Sequence, residues 1–501
     1  MGKTVKMLMT DTFEVKGRWF LPESDLEEDG VNGVLRYSPK EIVLDLIGSF
    51  DNLFSSSNYE NESRTTIFGF SEDGEWFTLL KCIPRSIRML SSGFNTCSYS
   101  TNRFYVGTQL IKSEEAELFN RADFSFANLN AWLDFPVIKY DLDNANRRFG
   151  CMIDLGASHD MEKKIEIASI KSILSEEYNC WIKYPNDYFL QEAAQVVVNR
   201  FYRLVPSREQ LVSAQSMLIN IHLLRRLLTL MSGSGMYITY VDFNLQSKGE
   251  SFSAQKTLLE DNHCRMFFKQ VGDICAAKHL SPHDPGAMLL THNDIIDNLE
   301  QIINYWFSEQ DRLGECVNTY ISDLYLFGYM ENHFLNIIRS IESYHRFFVE
   351  NQIVDEASDL FSEIEIAKDR QKILNYIGTE ISDRNKNYFL QRINYVDEMS
   401  LRRRIKDLFK LAPAILISKL FGNLSSSKQS RIISTTIDTR NYYTHRSEKK
   451  NYQNALEAGV ELMRLTNQLS ILLQYFCLTQ LGVDSNMITQ HLIISANQLG
   501  L

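Results

Sequence analysis

The spacing of apolar residues changes character along this chain, and that change restricts the fold more than any other feature. Over residues 1–135 the apolar residues come in short runs rich in β-branched and aromatic side chains: FEVKGRWFLP (13–22), GVNGVLRYS (30–38), EIVLDLIGSF (41–50), RTTIFGF (64–70), GEWFTLLKCI (74–83) and NRFYVGTQLI (102–111). Turn formers separate them, at Glu28-Asp29-Gly30, at Ser55 to Asn58 and at Glu72-Asp73-Gly74. Runs of this length between turns predict an antiparallel sheet or sandwich, and the Glu72-Asp73-Gly74 turn predicts a hairpin. After about residue 295 the apolar residues instead recur at i, i+3, i+4 and i+7, in five segments from NDIIDNLEQIINYWF to NYQNALEAGVELMRLTNQLSILLQYFCLTQLG. That period puts one apolar stripe on each helix, and five such helices with short connections predict a bundle.

Residues 136–295 are mixed. KKIEIASIKSIL (163–174) alternates as a strand does, Asp187 to Met231 carries a helical pattern, and MYITYVDF (236–243) predicts another strand. Ser281 to Gly286, with two prolines and a glycine, marks a loop and the best boundary. The expectation is an α+β protein in three parts: a β-rich domain over 1–135, a mixed α/β region over 136–295, and an all-α bundle over 296–501.

A chain of 501 residues can bury two or three separate cores. No membrane span is expected: the run Leu411 to Phe421 is broken by Pro413 and Lys419, well short of the roughly 20 residues a spanning helix needs. The N-terminal MGKTVKMLMTDTFEVKG lacks the apolar core and cleavage site of a secretory signal, so a cytoplasmic protein is expected. Eight scattered cysteines with no C-x-x-C pair argue against both a disulfide framework and a zinc ribbon.

The net charge of −11 excludes a protein that coats nucleic acid indiscriminately, but the charge is uneven. From Arg402 to Lys450 there are twelve Lys or Arg against three acids, Asp407, Asp438 and Glu448. A basic segment in an acidic chain marks a localised anion site or, alternatively, a solvated helix face.

Within that segment stands Thr439-Arg440-Asn441-Tyr442-Tyr443-Thr444-His445-Arg446. On a helix, Asn441 and His445 are one turn apart, and the long side chain of Arg440 reaches round to the same ligand. The set suits RNA cleavage by the strand's own 2′-hydroxyl, which needs one proton removed, another delivered to the leaving 5′-oxygen, and positive charge against the phosphorane between them. Histidine is the natural proton carrier near neutral pH. Arginine grips phosphate oxygens with two donors at once, and Asn441 can hold the imidazole or a phosphate oxygen in place. No metal or cofactor is called for. An arginine and a histidine at such spacing are common by themselves, and Arg339 to His345 is a second instance. That pair lies in mid-helix, where a satisfied core histidine is the simpler reading.

Other signals are weaker. Arg402, Arg403, Arg404 and Lys406 can guide an RNA backbone or form a solvated helix face. Tyr442 and Tyr443 can stack on a base or pack the helix, and Arg446 extends the basic surface. His279, His283 and His292 match no zinc spacing and read as loop residues.

R-N-x3-H on an all-helical C-terminal domain resembles the HEPN superfamily. FLNIIRSIESYHR (334–346), MSLRRRIKDLF (399–409) and DTRNYYTH (438–445), together with the N-terminal GRWFLP…GVLRYSP…FTLLKC pattern and Trp132 in NLNAWL, resemble the ApeA-like HEPN proteins of bacterial anti-phage defence. The resemblance implies a homodimer or higher homo-oligomer whose motifs face each other across one cleft. It implies a metal-independent endoribonuclease, acting on RNAs such as tRNA and leaving 2′,3′-cyclic phosphate ends. Arg440 and His445 map onto its catalytic pair and Asn441 onto their polar companion, with Glu342 as a cleft-lining residue. Residues 1–295 then form a sensing or regulatory module that answers a phage-derived trigger. The alternative is a non-catalytic HEPN module that binds RNA or mediates assembly in a defence or toxin–antitoxin complex. Some HEPN toxins carry a tyrosine two residues after the histidine; Ser447 stands here, so a mechanism that modifies that tyrosine is not implied.

Overall fold

Alternation decides the first element: in β1 (Phe13–Phe20) Phe13, Val15 and Trp19 turn inward while Glu14 and Lys16 face solvent. The computed structural model describes residues 3–22, 24, 29–50, 65–88, 95–113, 115–133, 138–143, 148–153, 165–171, 177–183, 186–191, 195–200, 203–245, 263–270, 288–325, 328–350, 363–393, 399–445 and 451–501. They divide into two compact units, Met1–Ser308 and Glu309–Leu501.

The first unit is built on strands. After β1 come β2 (Val31–Tyr37), β3 (Ile42–Ile47), β4 (Thr65–Ser71), β5 (Trp76–Arg88), β6 (Thr96–Thr101), β7 (Arg103–Gly107) and β8 (Phe119–Phe126). Later strands are β9 (Ile138–Asp143), β10 (Arg148–Ile153), β11 (Ile165–Lys171), β12 (Glu177–Lys183), β13 (Asn186–Gln191), β14 (Gln195–Arg200), β15 (Arg203–Val212), β16 (Ile238–Leu245) and β17 (His263–Phe268). Among the described residues, thirteen strands form one sheet in the order β11-β12-β15-β8-β16-β17-β7-β5-β4-β1-β2-β3-β6. The pairings are antiparallel, as the sequence predicts, and a further pairing of β5 with β6 closes the last six strands into a barrel rather than a two-layered sandwich. Closure depends on the length of β5. Its first half pairs with β7 as far as Leu80 and its second half with β6 from Ile83; between them Lys81 takes φ +51°. Strands from both sides of residue 135 share this sheet, while β9–β10 and β13–β14 are separate hairpins.

The Glu72-Asp73-Gly74 turn joins β4 to β5 as expected, with Gly74 at φ +80°, a conformation costly for any side chain with a Cβ. Trp19, fully buried, lies across Gly69 so closely that a Cβ there would sit 2.3 Å from Cε3 of the indole. Gly69→Ala is therefore expected to destabilise the unit by about 1–3 kcal/mol, the usual cost of overpacking a filled core. Thermal unfolding followed by tryptophan fluorescence checks this; an unchanged transition refutes it.

The helical reading of Asp187 to Met231 needs correction. Strands β13, β14 and β15 lie within 186–212, and among the described residues of this stretch only α2 (Ala214–Ser232), which follows the short α1 (Leu129–Leu133) in helix order, is helical. Val196-Val197-Val198 explains the error, because a β-branched run satisfies a helical apolar count while favouring the pleat. The hydroxyl of Ser213 accepts from the Ser216 N–H and starts α2, and Gly233 at φ +68° ends it. The loop at Ser281 to Gly286 lies outside the described residues. Beyond it come α3 (His292–Ile295) and α4 (Leu299–Ser308), whose Trp306 Nε1 donates to the Leu223 carbonyl at 2.9 Å.

The second unit is helical: α5 (Glu315–Tyr325), α6 (Met330–Phe348), α7 (Glu363–Glu380), α8 (Asp383–Ile393), α9 (Leu401–Leu411), α10 (Ala414–Phe421), α11 (Ser426–His445), α12 (Val460–Gln480) and α13 (Ser485–Gln498). Helix α12 is its axis, buried on nearly every side from Leu469 to Leu478. Against it α6 lays a stripe of Phe334, Ile337, Ile338, Ile341, Tyr344 and Phe348. Among the described residues no helix is long and apolar enough to cross a membrane. The fold class is thus α+β, a β-rich N-terminal part followed by a helical bundle.

Candidate active site

The Arg440–His445 string forms the end of α11, whose earlier part, SSKQSRIISTTIDT (426–439), is polar in sequence. Serine and threonine weaken a helical pattern because their hydroxyls compete for backbone groups. Here Thr436 and Thr439 are buried, and each turns its hydroxyl onto the carbonyl four residues back, Ile432 and Thr435, at 2.9 and 2.7 Å. The segment after the helix folds back and fixes its last turns. The Leu456 N–H donates to the Thr439 hydroxyl at 3.0 Å, and Asn454 donates twice to Asp438 at 3.1 and 2.8 Å.

Arg440 stands on this anchored turn, half-buried. Its Nη1 donates to Oδ1 of Asn441 at 3.1 Å, and Nη2 lies 3.9 Å from Oε1 of Glu342 in α6. The second distance is a charge contact, too long for a hydrogen bond; it orients the guanidinium more than it stabilises the fold. Asn441 and the exposed His445 share a face, and Ser434, seven residues before Asn441, continues it. There Arg402 of α9 reaches across and donates to the Ser434 hydroxyl at 2.9 Å. Helices α6 and α9 therefore bracket α11, one bringing an acid to Arg440 and the other a cation to the motif's own face.

The remaining residues divide. Lys406 and Arg403 are exposed, Arg403 donating to Asp407 at 3.1 Å. Arg404 is the exception. It is buried, with Nη1 donating to Glu350 at 2.8 Å and lying 3.3 Å from Nδ1 of His345, and with Nε donating to the Met399 carbonyl. Its donors are engaged inside the bundle, which removes it from a strand-guiding set. Tyr442 and Tyr443 are half-buried with ring centroids 5.0 Å apart; burial, then the nearby Glu331 carboxylate, pushes the Tyr443 hydroxyl pKa up. Arg446, His279 and His283 lie outside the described residues, and His292 is buried with its ring against Trp132.

Residues 14–306 match the family model of the ApeA N-terminal domain 1, and residues 335–487 match that of the Apea-like HEPN domain. The chain belongs to the ApeA-like HEPN family. No curated protein and no solved structure matches it at a significant level. The first match runs through most of the strand-built unit, and the second spans α9 and α11 and takes in α6 from Leu335 onward. This family assignment points to the anti-phage HEPN nucleases as a group.

In this ApeA-like HEPN protein the sequence missed two cations beside the motif. Arg339 and Arg346 are exposed and stand three residues before and four after Glu342, on one face of α6. The spacing R-x2-E-x3-R carried that signal, but Arg339 drew notice only as half of the competing pair with His345. His345 itself is fully buried, with Nε2 3.4 Å from Asp407 and Nδ1 facing Arg404. Burial lowers its pKa, and Arg404 lowers it further against the opposing carboxylates of Asp407 and Glu350. An unfolded histidine takes a proton more readily, so stability linked to this group is complete above about pH 6.5 and is lost as the pH falls below that. The melting temperature is expected to drop between pH 7.5 and pH 5, and to drop less in His345→Gln; equal losses refute the linkage.

Proposed function

We propose that this chain is a metal-independent endoribonuclease of anti-phage defence, acting in the cytoplasm as a homodimer through its HEPN domain. What carries the reading is the meeting of Arg440, Asn441 and His445 at an anchored helix end of an Apea-like HEPN domain, with Glu342 against the arginine. In the reaction the 2′-oxygen of RNA forms a bond to the adjacent phosphorus while the bond from phosphorus to the 5′-oxygen breaks. An imidazole, His445 of one subunit, takes the 2′-hydroxyl proton, and the protonated imidazole of the second subunit's copy delivers one to the 5′-oxygen. Arg440 faces the charge that builds on the phosphorane, held in attitude by Glu342 and Asn441. Arg402, Lys406, Arg339 and Arg346 hold the flanking phosphates. The products end in 2′,3′-cyclic phosphate and a 5′-hydroxyl, with tRNA among the substrates tested first.

The strand-built unit restrains the site until a phage-derived trigger arrives, since an unrestrained ribonuclease poisons its own cell. Deleting residues 1–295 should therefore raise toxicity and uncouple it from infection.

The deciding experiment incubates the purified chain with total RNA and with tRNA in excess EDTA, then maps the new ends by sequencing. Cyclic-phosphate ends at discrete positions support the reading. Intact RNA that co-purifies or shifts in a gel, with phage protection retained, favours the non-catalytic module that binds RNA or mediates assembly.

A further inference from the structure

On another side of α11 lies a cleft that the reading above does not use. It opens between α10, α11 and α12 and encloses about 540 Å3, a volume in the range of small-ligand sites. Four cations line it: Lys419, Lys428, Arg431 and Arg464. Among the described residues no Asp or Glu lines it. Lys419 donates to the backbone oxygen of Leu501 at 2.6 Å, whereas the side chains of Lys428, Arg431 and Arg464 take part in no ion pair among the described residues. One wall is apolar, formed by Phe421, Ile432, Leu456 and Leu465. Like charges held together without counter-charges repel one another, and an anion in the cleft relieves that repulsion.

The cleft is distinct from the catalytic motif. Arg431 and Arg440 are nine residues apart on one helix, roughly 13 Å along the axis and half a turn round it. A mononucleotide in the cleft therefore does not bridge to the Glu342 side of α11. We propose that this cleft is a second site, one that binds nucleotide phosphate: the phosphate groups lie against Lys428, Arg431 and Arg464, and the base or sugar lies against the apolar wall. The phosphates come either from a free nucleotide or from a part of an RNA strand away from the point of cleavage.

The test uses the full chain and two probes, fluorescent ATP and a 2′-O-methyl RNA octamer that cannot be cleaved by 2′-oxygen attack. The variants are Lys428→Gln/Arg431→Gln and, separately, Arg464→Gln, all at exposed positions where folding is checked by circular dichroism. Loss of two charge-assisted contacts is expected to weaken binding about tenfold or more. ATP binding weakened in these variants and unchanged in Arg440→Ala assigns a free-nucleotide site. Weakening confined to the octamer assigns the strand's phosphates. Binding of both probes unchanged in both cleft variants overturns the proposal. Because neither probe is cut, the outcome does not depend on whether the chain is a ribonuclease; cleavage of natural RNA by the unaltered protein answers that separately.

Discussion

His445→Ala is expected to lower RNA cleavage by about a thousandfold or more while leaving the melting temperature unchanged. The two halves of this expectation rest on different observations. His445 is exposed at the last position of its helix, so removing the ring opens no cavity and strands no buried partner. Its chemistry, however, serves both proton transfers of the proposed reaction, one from each subunit. Arg440→Ala should cost roughly 3 kcal/mol at the transition state, some hundredfold in rate, because the charge facing the phosphorane is lost. Arg440→Lys separates charge from geometry: a lysine keeps the charge and loses the planar fork, and partial activity is expected. Single-turnover cleavage of a labelled RNA, with thermal melts of each variant, provides the readout. Full cleavage by both alanine variants would falsify the assignment.

The second large effect concerns stability. Arg404→Ala is expected to destabilise the helical unit by about 3–5 kcal/mol, the range found when one member of a buried ion pair is removed. The guanidinium is 5% exposed and neutralises Glu350 while facing His345, whose other nitrogen faces the buried Asp407. Without Arg404, that group of polar atoms is left inside the bundle with one positive charge fewer. Glu350 retains 24% of its exposure, so water offsets part of the loss and the lower end of the range is the expected value. For a unit of this size each kcal/mol moves the transition about 2–4 °C, and a fall near 10 °C should be visible by calorimetry. Adding Glu350→Gln to Arg404→Ala should recover part of the loss, because the stranded charge goes with it. A transition within about 2 °C of the unaltered protein removes the network from any role in holding α9 on α6.

The same residues mark where the sequence can be read and where it cannot. The strands of the first unit were legible because Phe13, Val15 and Trp19 alternate with polar neighbours, and one buried face imposes that pattern. The closure of β5 onto β6 was not, since it depends on a left-handed turn at Lys81, a residue type that carries no signal for it. Helix α11 was hidden by its serines and threonines, whose hydroxyls find partners only once the helix exists. Arg404 looked like the middle of a solvated basic run; its burial follows from the neighbours Glu350 and His345, which lie more than fifty residues away. The motif itself was legible because its chemistry is local. Three functional groups within two turns need no long-range knowledge to be placed together, whereas Glu342 and Arg402, which flank them, do.

A sheet that bends back and joins its own border has consequences for how these molecules treat one another. Unsatisfied N–H and C=O groups along an outer strand are what allow one chain to add itself to the next. Where β6 meets β5 those groups already have partners, and at the far end β11 lies beside helix α4. Crowded copies of the first unit thus find no free edge along β6, from Thr96 to Thr101, to stitch onto by backbone pairing while the barrel stays closed. Loosening the kink at Lys81 exposes such a seam, and precipitation should then set in at lower concentration, well before the helical unit loses its shape.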